Sequence, residues 1–494
     1  MTRAVIRRNG WVLAAAVASL AFTVQPFRDS DVWWHLAIGH YILAHGIPGI
    51  EPFSFLHAAN PWVGQQWLYE VGLARAVDLG GPGLASLLMG GVGSAALLVA
   101  ALAIPPDRRP AGPVVAASLL LGAAVASQLL GVRSQVWSLL GAAVVLHVVM
   151  RWRRGSARAL LVLPPLLTLW ANLDAGFVIG LGIAVITLLT VRDVDRRSRR
   201  LLAGAIAAAA LATLANPGGP GLWSYVGATF ITPTTTGVGL GWQSPDFHDL
   251  WLRLFEAQAI LLVIGWALSR RRDLFDTVLA GTAFAASLQA QQNVALFAVI
   301  AVPQLAVYSS SAWLAHRHRL PAVSRVGRWR RPPRWFAATV AALLVAGAVA
   351  AAVPQVSADS SARFEATHEP KAAADYASAH LAGRRLYTVD TWGGYLADRF
   401  PTGRVVFLYD EAGIFGTTAL QRYLDIHDLQ PDWSTVLAGT GVADAILPSR
   451  AQEVSALLTL GWSVDCRDAS SASVVMSLAR DGGSAQPGPA PPCA

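Results

Sequence analysis

From the N-terminus to about residue 353 the chain repeats one pattern, an apolar run closed by a short turn rich in arginine, glycine or proline. The pattern predicts spans near 10–27, 82–104, 112–131, 134–150, 159–173, 175–191, 201–215, 254–270, 274–290, 293–310 and 335–353. They are short for a bilayer that needs ~20 residues per helix, so their boundaries are loose. Counting eleven spans with the N-terminus inside puts "PPDRRP", "RWRRGSAR", "RDVDRRSRR", "SRRRD" and "HRHRLPAVSRVGRWRRPPR" on the N-terminal side. The other side receives only Arg28, Arg75, Arg133 and Arg253 ahead of the C-terminal region. Positive charge retained in cytoplasmic turns is the physical rule behind that alternation.

Two long external loops follow, residues 28–81 and 216–251. Beyond Pro354 the period changes. "RRLYTVD", "GRVVFLYD", "VADAILP", "WSVDCRD" and "SVVMSLA" read as strands, with helical stretches "TTALQRYLDIH" and "SRAQEVSALLTLG" between them. Strands alternating with helices predict a small extracytoplasmic α/β domain with a largely parallel sheet over 354–480. The tail 481–494, "DGGSAQPGPAPPCA" in its context, has the Pro/Gly-rich composition of a disordered segment. The expected architecture is an all-α polytopic membrane bundle of about 11 spans over residues 1–353, followed by that α/β domain.

Composition agrees. Apolar residues are 54% of the chain, charged residues 14%, and the mean hydropathy is +0.46, where soluble domains carry roughly 25% charged residues. The net charge of +8 is dispersed over short turns and forms no continuous basic face, which argues against a nucleic-acid partner. The opening "MTRAVIRRNGWVLAAAVASLAFTVQPF" has the form of a signal peptide without a cleavage site and reads as an anchor, with Arg3, Arg7 and Arg8 inside. High Ala and Arg with Lys371 as the lysine point to a bacterial plasma membrane. Cys466 and Cys493 both fall on the oxidising side, where a disulfide is permitted.

The chemistry concentrates at "RDSDVWWHLAIGHYILAHGIPGIEPFSF". Trp34, Ile38, Tyr41 and Ile42 recur at helical spacing, an apolar face suited to the plane of the membrane interface. Asp31 and His35 stand at i,i+4, and Gly46, Pro48 and Gly49 end the helix. A second polar-aromatic stretch, "NPWVGQQWLYEVGLAR", carries Gln65, Gln66 and Glu70. One of Asp29, Ser30 and Asp31 is expected to cap the helix. Two carboxylates at the membrane border of an acid-poor chain also raise a functional role.

"DSDVWWHLAIGHYILAHGIPGIEPFSF" followed by "PWVGQQWLYE" resembles a group of bacterial multispan proteins associated with the GT-C superfamily of glycosyltransferases. The likeness continues through "RSQVWSLL", "LWANLDAGFVIGLG", "NPGG", "WQSPDF", "QNVALFAVIAVP" and "DTWGGYL", in order along residues 11–480. The chain departs from the group's pattern at Gln65 and Gln66, at Asp174 in place of histidine, and at Gln292 in place of arginine.

The resemblance implies transfer of a hexosyl or pentosyl unit, with inversion, from a polyprenyl-phosphate carrier to a glycan, lipid or protein acceptor outside the membrane. It implies an acid of the first external loop as base, here Asp31, or else Asp29. A positioned carboxylate taking the acceptor's proton is worth typically 10²–10⁴-fold. The departing phosphate calls for a cation, for which Arg133 is the candidate; its other reading is an arginine snorkelling to the interface. Trp33 and Trp34 offer ring faces to a sugar or isoprenoid, or serve as belt anchors. His35 orients Asp31, meets phosphate, or simply packs. Gln66, Glu70 and Asp174 complete the expected binding residues, Asp174 having a helix-capping role as its alternative. Asp29 and Asp31 at D-x-D spacing are the candidate ligands for a divalent cation, Mg or Mn. The rival readings are a transporter or flippase of an envelope lipid or glycan, and a non-catalytic envelope-assembly protein.

Overall fold

The computed structural model describes residues 3–56, 62–231, 242–270, 272–316, 334–402, 404–478 and 490–493. It divides into two compact units: Met1–Pro26, Leu84–Gly219 and Leu240–Val356 form the first, and Phe27–Gly83, Pro220–Gly239 and Ser357–Ala494 the second.

The first unit is helical. Every expected span falls on helix, among them Gly112–Ala126, Gln135–Arg153, Phe177–Thr190, Leu252–Leu268, Leu274–Gln289 and Val294–His316. Among the described residues four helices are long and apolar enough to cross a membrane, or up to five if a bent pair counts as one span. These helices make the chain an integral membrane protein, though with fewer full-length spans than the eleven expected. Several apolar runs are simply short: Phe177–Thr190 has 14 residues and Leu163–Leu173 has 11. Small residues let the bundle close tightly. A Cβ on Gly141 would come within 2.4 Å of the Trp170 ring. Three arginine-rich turns meet at one carboxylate, since Asp273 takes Arg108 at 3.2 Å and Arg153 at 2.9 Å.

The second unit is built from three stretches far apart in sequence. Its sheet has β1 (Leu386–Thr388), β2 (Asp444–Pro448), β3 (Trp462–Asp468) and β4 (Ser473–Leu478) in the order β1-β2-β4-β3. Only β1 and β2 pair in parallel; β4 is antiparallel to both β2 and β3. The expected largely parallel sheet is therefore mixed. The cause is local: β3 and β4 are joined by the short turn 469–472, with Ala472 at φ 52°, and a turn that short permits only antiparallel neighbours. "GRVVFLYD" extends the sheet by single bridges: Val406 lies parallel to Leu386 on one side and to Ser54 on the other. A segment of the first external loop thus forms an edge of the C-terminal sheet.

Residues 27–83 belong to the same compact unit as 357–494. Helix Asp31–His45 forms as expected, but its apolar face does not lie open in an interface plane. Trp34, Ile38 and Ile42 join Tyr395, Phe407, Tyr409 and Phe415 in one buried core. Helix Trp67–Leu102 breaks at Gly80 and Gly81, the latter at φ 69°, just before Pro82, so Trp67–Leu79 is a segment distinct from the span beginning at Pro82. The tail is tied down at its end. Cys466 and Cys493 form a disulfide, and Arg467 exchanges backbone hydrogen bonds with Pro491 and Cys493. Residues 481–489, expected to be disordered, lie outside the described residues.

Candidate functional site

The "DTWGGYL" motif explains how the second unit closes. Helix Asp390–Arg399 packs on helix Asp31–His45 through Gly394, where a Cβ would lie 3.1 Å from the Trp34 nitrogen and 3.3 Å from the Ser30 carbonyl. Gly393 is tighter still, with a Cβ 1.9 Å from the Leu408 carbonyl oxygen. Only glycines let this helix lie against both neighbours. Tyr409 then stacks on Trp34 with ring centroids 5.6 Å apart, and its hydroxyl donates to Glu51 at 3.2 Å. Glu51 also accepts the Phe53 and Ser54 N–H groups at 2.6 and 2.5 Å. Burial nevertheless pushes its carboxyl up to about 7.

The first acidic stretch divides its labour. Asp29 Oδ1 accepts the Asp31 N–H at 3.3 Å, and Ser30, at the N-cap position, makes no side-chain capping bond. The Asp31 carboxyl takes no part in that bond, and its Oδ1 is buried without a hydrogen-bond partner among the described residues. Burial, then the charges of Asp410 and Glu411, hold Asp31 well above the usual carboxylate range. Glu411 is pushed up to about 7, by burial first and by Asp410 in addition, against the opposing hydrogen bond from Tyr225. Tyr225 donates to Glu411 at 2.8 Å and accepts from Gln65 Nε2 at 3.3 Å. After burial, the largest influences on Asp31 are other carboxyls, whereas on Glu411 the Tyr225 hydrogen bond outweighs Asp410.

His35 sits with Glu70, its Nδ1 3.5 Å from the carboxylate. The histidine is 3% exposed and Glu70 fully buried. Neither carboxylate oxygen of Glu70 finds a hydrogen-bond partner among the described residues. With the Trp34 ring tilted against it at 3.6 Å and Tyr69 edge-on at 5.1 Å, burial depresses the imidazole to about 3, so it is neutral at physiological pH. His35 is therefore a buried partner of Glu70, neither a surface residue nor the residue set against Asp31.

Both tryptophans are packed. Trp34 is 2% exposed, its faces covered by His35 and Tyr409. Trp33 donates its indole N–H to Glu369 at 3.0 Å and packs edge-on to Tyr395 and Phe27. Packing covers the ring faces of Trp34, while Trp33 is half-buried. Gln66 is buried beside Gln65.

Arg133 and Asp174 belong to the first unit. Arg133 is half-buried just ahead of helix Gln135–Arg153. Asp174 accepts from Ser134 at 2.9 Å, from the Gly176 N–H at 2.8 Å, and from Ser138. One donor is a backbone N–H ahead of helix Phe177–Thr190 and two are serine hydroxyls at the start of helix Gln135–Arg153, and Trp170 steadies Ser138 at 2.8 Å.

Among the described residues no three His, Cys, Asp or Glu side chains converge as metal ligands. Asp29 spends an oxygen on the helix N-terminus, and the D-x-D pair does not gather into a ligand set. Sequence reasoning missed Glu51, Tyr225, Asp410 and Glu411. The last two follow the strand-like "VVFLY" directly, and an acid pair after an apolar run was the available signal.

No protein-family model matches the sequence, and no curated protein is similar to it. Solved structures do match. An archaeal oligosaccharyltransferase, AglB from Archaeoglobus fulgidus, solved with an inhibitory peptide and a dolichol-phosphate, is 12% identical over 90% of this chain and 70% of its own, at a TM-score of 0.52. ArnT from Cupriavidus metallidurans, bound to undecaprenyl phosphate, is 16% identical over 97% of this chain and all of its own, at 0.50. The mycobacterial arabinofuranosyltransferase AftD is 16% identical at 0.51, with 96% of this chain matched to 42% of AftD. Through these neighbours the chain resembles, in fold, the GT-C superfamily of glycosyltransferases.

Proposed function

We propose that this protein is an integral-membrane glycosyltransferase that moves a sugar from a polyprenyl-phosphate carrier to an extracytoplasmic acceptor, with inversion, and that Asp31 is the base. One observation carries the reading: Asp29 takes over the helix-capping bond, while Asp31 keeps its carboxyl in an acid cluster that raises its proton affinity. A base needs a proton affinity near that of its working pH, and burial beside other carboxyls supplies it. The fold resemblance to transferases solved with polyprenyl phosphates supports the donor class.

In the reaction the acceptor O–H bond breaks as its oxygen attacks the anomeric carbon from the face opposite the phosphate. The C–O bond to the phosphate breaks, and polyprenyl phosphate leaves with the electron pair. The proton passes to Asp31. Hydrogen bonds or a cation at the leaving phosphate lower the barrier further; Arg133 is our candidate on residue chemistry.

The test is direct. Purified full-length protein in liposomes is given a panel of short-chain polyprenyl-phosphate hexoses and pentoses with envelope extract, and released polyprenyl phosphate is measured. Asp31→Asn should lower the rate by about 10²–10⁴-fold. Full turnover in that variant would refute the assignment of the base, and no release with any donor would refute the transferase reading.

A further inference from the structure

The arginine-rich turns that meet at Asp273 border a cavity within the first unit, which the proposed transfer does not use. Its volume is about 30 Å³, and Arg108, Leu146, Met150, Asp276, Gln304 and Val307 are among its lining residues. One water fills about 10–15 Å³ of such space, so the cavity takes about two water-sized groups. Its polar wall has acceptors in excess. Gln304, on helix Val294–His316, is 4% exposed, and its amide oxygen meets no donor among the described residues. Asp276, in the first turn of helix Leu274–Gln289, accepts the Tyr308 hydroxyl on Oδ2 at 2.8 Å. The arginines beside it pair with Asp273 instead, Arg108 at 3.2 Å and Arg153 at 2.9 Å. A buried acceptor without a donor is costly, and a carboxylate facing the same space calls for positive charge. A compact cation bearing several N–H groups answers both demands.

We propose that this cavity seats the primary ammonium of a phosphoethanolamine lipid. The ammonium donates to Gln304 Oε1 and to the Asp276 carboxylate, displacing water. Arg108, whose side chain is 45% exposed, meets the lipid phosphate at the mouth as a multi-donor cation, and Leu146, Met150 and Val307 supply an apolar flank for the acyl chains. A trimethylated ammonium has no N–H to give and exceeds the space. A glycerol headgroup has donors but no charge for Asp276. The cavity lies on the side of the arginine-rich turns, which the positive-inside rule assigns to the cytoplasmic leaflet. The site therefore goes beyond the proposed sugar transfer, which takes a different lipid at the opposite face.

The test is native mass spectrometry of the full-length protein, stripped of lipid in detergent and titrated with phosphatidylethanolamine, phosphatidylcholine or phosphatidylglycerol. Phosphatidylethanolamine should bind about tenfold tighter or more than either of the others, the worth of one hydrogen bond to a charged group. Gln304→Leu and Asp276→Asn should each remove that preference and leave the binding of the other two lipids unchanged. Should one variant fail to fold, the other decides. Equal binding of the three lipids by the wild type, or a preference that survives in a folded variant, would overturn the site. Soluble phosphoethanolamine at the same concentration should not displace the bound lipid. Displacement as strong as that by phosphatidylethanolamine itself would overturn the lipid as occupant.

Discussion

Acidification from pH 7 to 5.5 is expected to stabilise the second unit, the reverse of ordinary acid denaturation. Glu51 and Glu369 are 1% and 2% exposed, and burial pushes each carboxyl up to about 7, against ~4.3 in an unfolded chain. Between those values the folded state holds a proton that the unfolded state has released. Stability therefore falls by about 1.4 kcal/mol per pH unit and per group as pH rises. Over the interval the two groups gain about 4 kcal/mol on acidification. His35 opposes them. Its folded value is about 3 against ~6.5 unfolded, which costs about 1.4 kcal/mol once pH falls from 6.5 to 5.5. The net is a gain of about 3 kcal/mol at order of magnitude. Glu411 acts in the same direction and is left out because it is partly exposed and solvent screens it.

The assay is urea unfolding of the full-length protein in detergent micelles, followed by tryptophan fluorescence at several pH values. Glu51→Gln isolates one contribution. The amide cannot accept from both the Phe53 and Ser54 N–H groups, so the variant is weaker by a constant amount. Its stability should nevertheless vary with pH less steeply than the wild type's, by about 1.4 kcal/mol per unit between pH 5 and 7. A wild type that loses stability steadily from pH 7 to 5.5, or an E51Q slope equal to the wild type's, would refute the argument that burial overrides three hydrogen-bond donors.

Other substitutions probe the assembly of the unit. Gly393→Ala would place a methyl 1.9 Å from the Leu408 carbonyl oxygen and should cost about 1–3 kcal/mol or more, read as a lower unfolding midpoint. Cys493→Ser opens a loop spanning a sequence separation of 27 and should cost about 3 kcal/mol, matched in the wild type by a reductant; equal stability with and without reductant would contradict this. Tyr225→Phe removes the donor to Glu411. It should destabilise by about 1.5–3 kcal/mol above pH 7, where the carboxylate is ionised, and by little at pH 5.5.

How much of this was legible in the sequence follows from which contacts are local. Helix Asp31–His45 and its glycine stop depend on neighbours within a few residues, and both were read correctly. So were the four ladder strands, with β3 and β4 paired across a turn whose antiparallel consequence was not drawn. The two glycines of "DTWGGYL" entered only as part of the family likeness; what they approach lies hundreds of positions earlier at Trp34 and just after at Leu408, and spacing cannot reveal the first of these. In the D-x-D pair Asp31 ranked ahead of Asp29 as base, while the helix cap stayed open among Asp29, Ser30 and Asp31. Only the Asp29 bond to the Asp31 N–H separates capping from chemistry.

The residues missed share one cause. Glu51, Tyr225 and the pair Asp410–Glu411 come from three segments, each unremarked by itself: a loop end, a helix in the second external loop, and the end of a strand. Each gains meaning from the others, since Tyr225 is a plain helix tyrosine until Glu411 meets it at 2.8 Å. A periodic pattern reports the solvent that each face meets, here lipid or core, and is silent about which distant polar ends meet. The catalytic assignment from family likeness therefore stopped at the acids of the first loop. Folding brings the charges of Asp410 and Glu411 to bear on Asp31, whose carboxyl burial first and those acids second hold above the usual range.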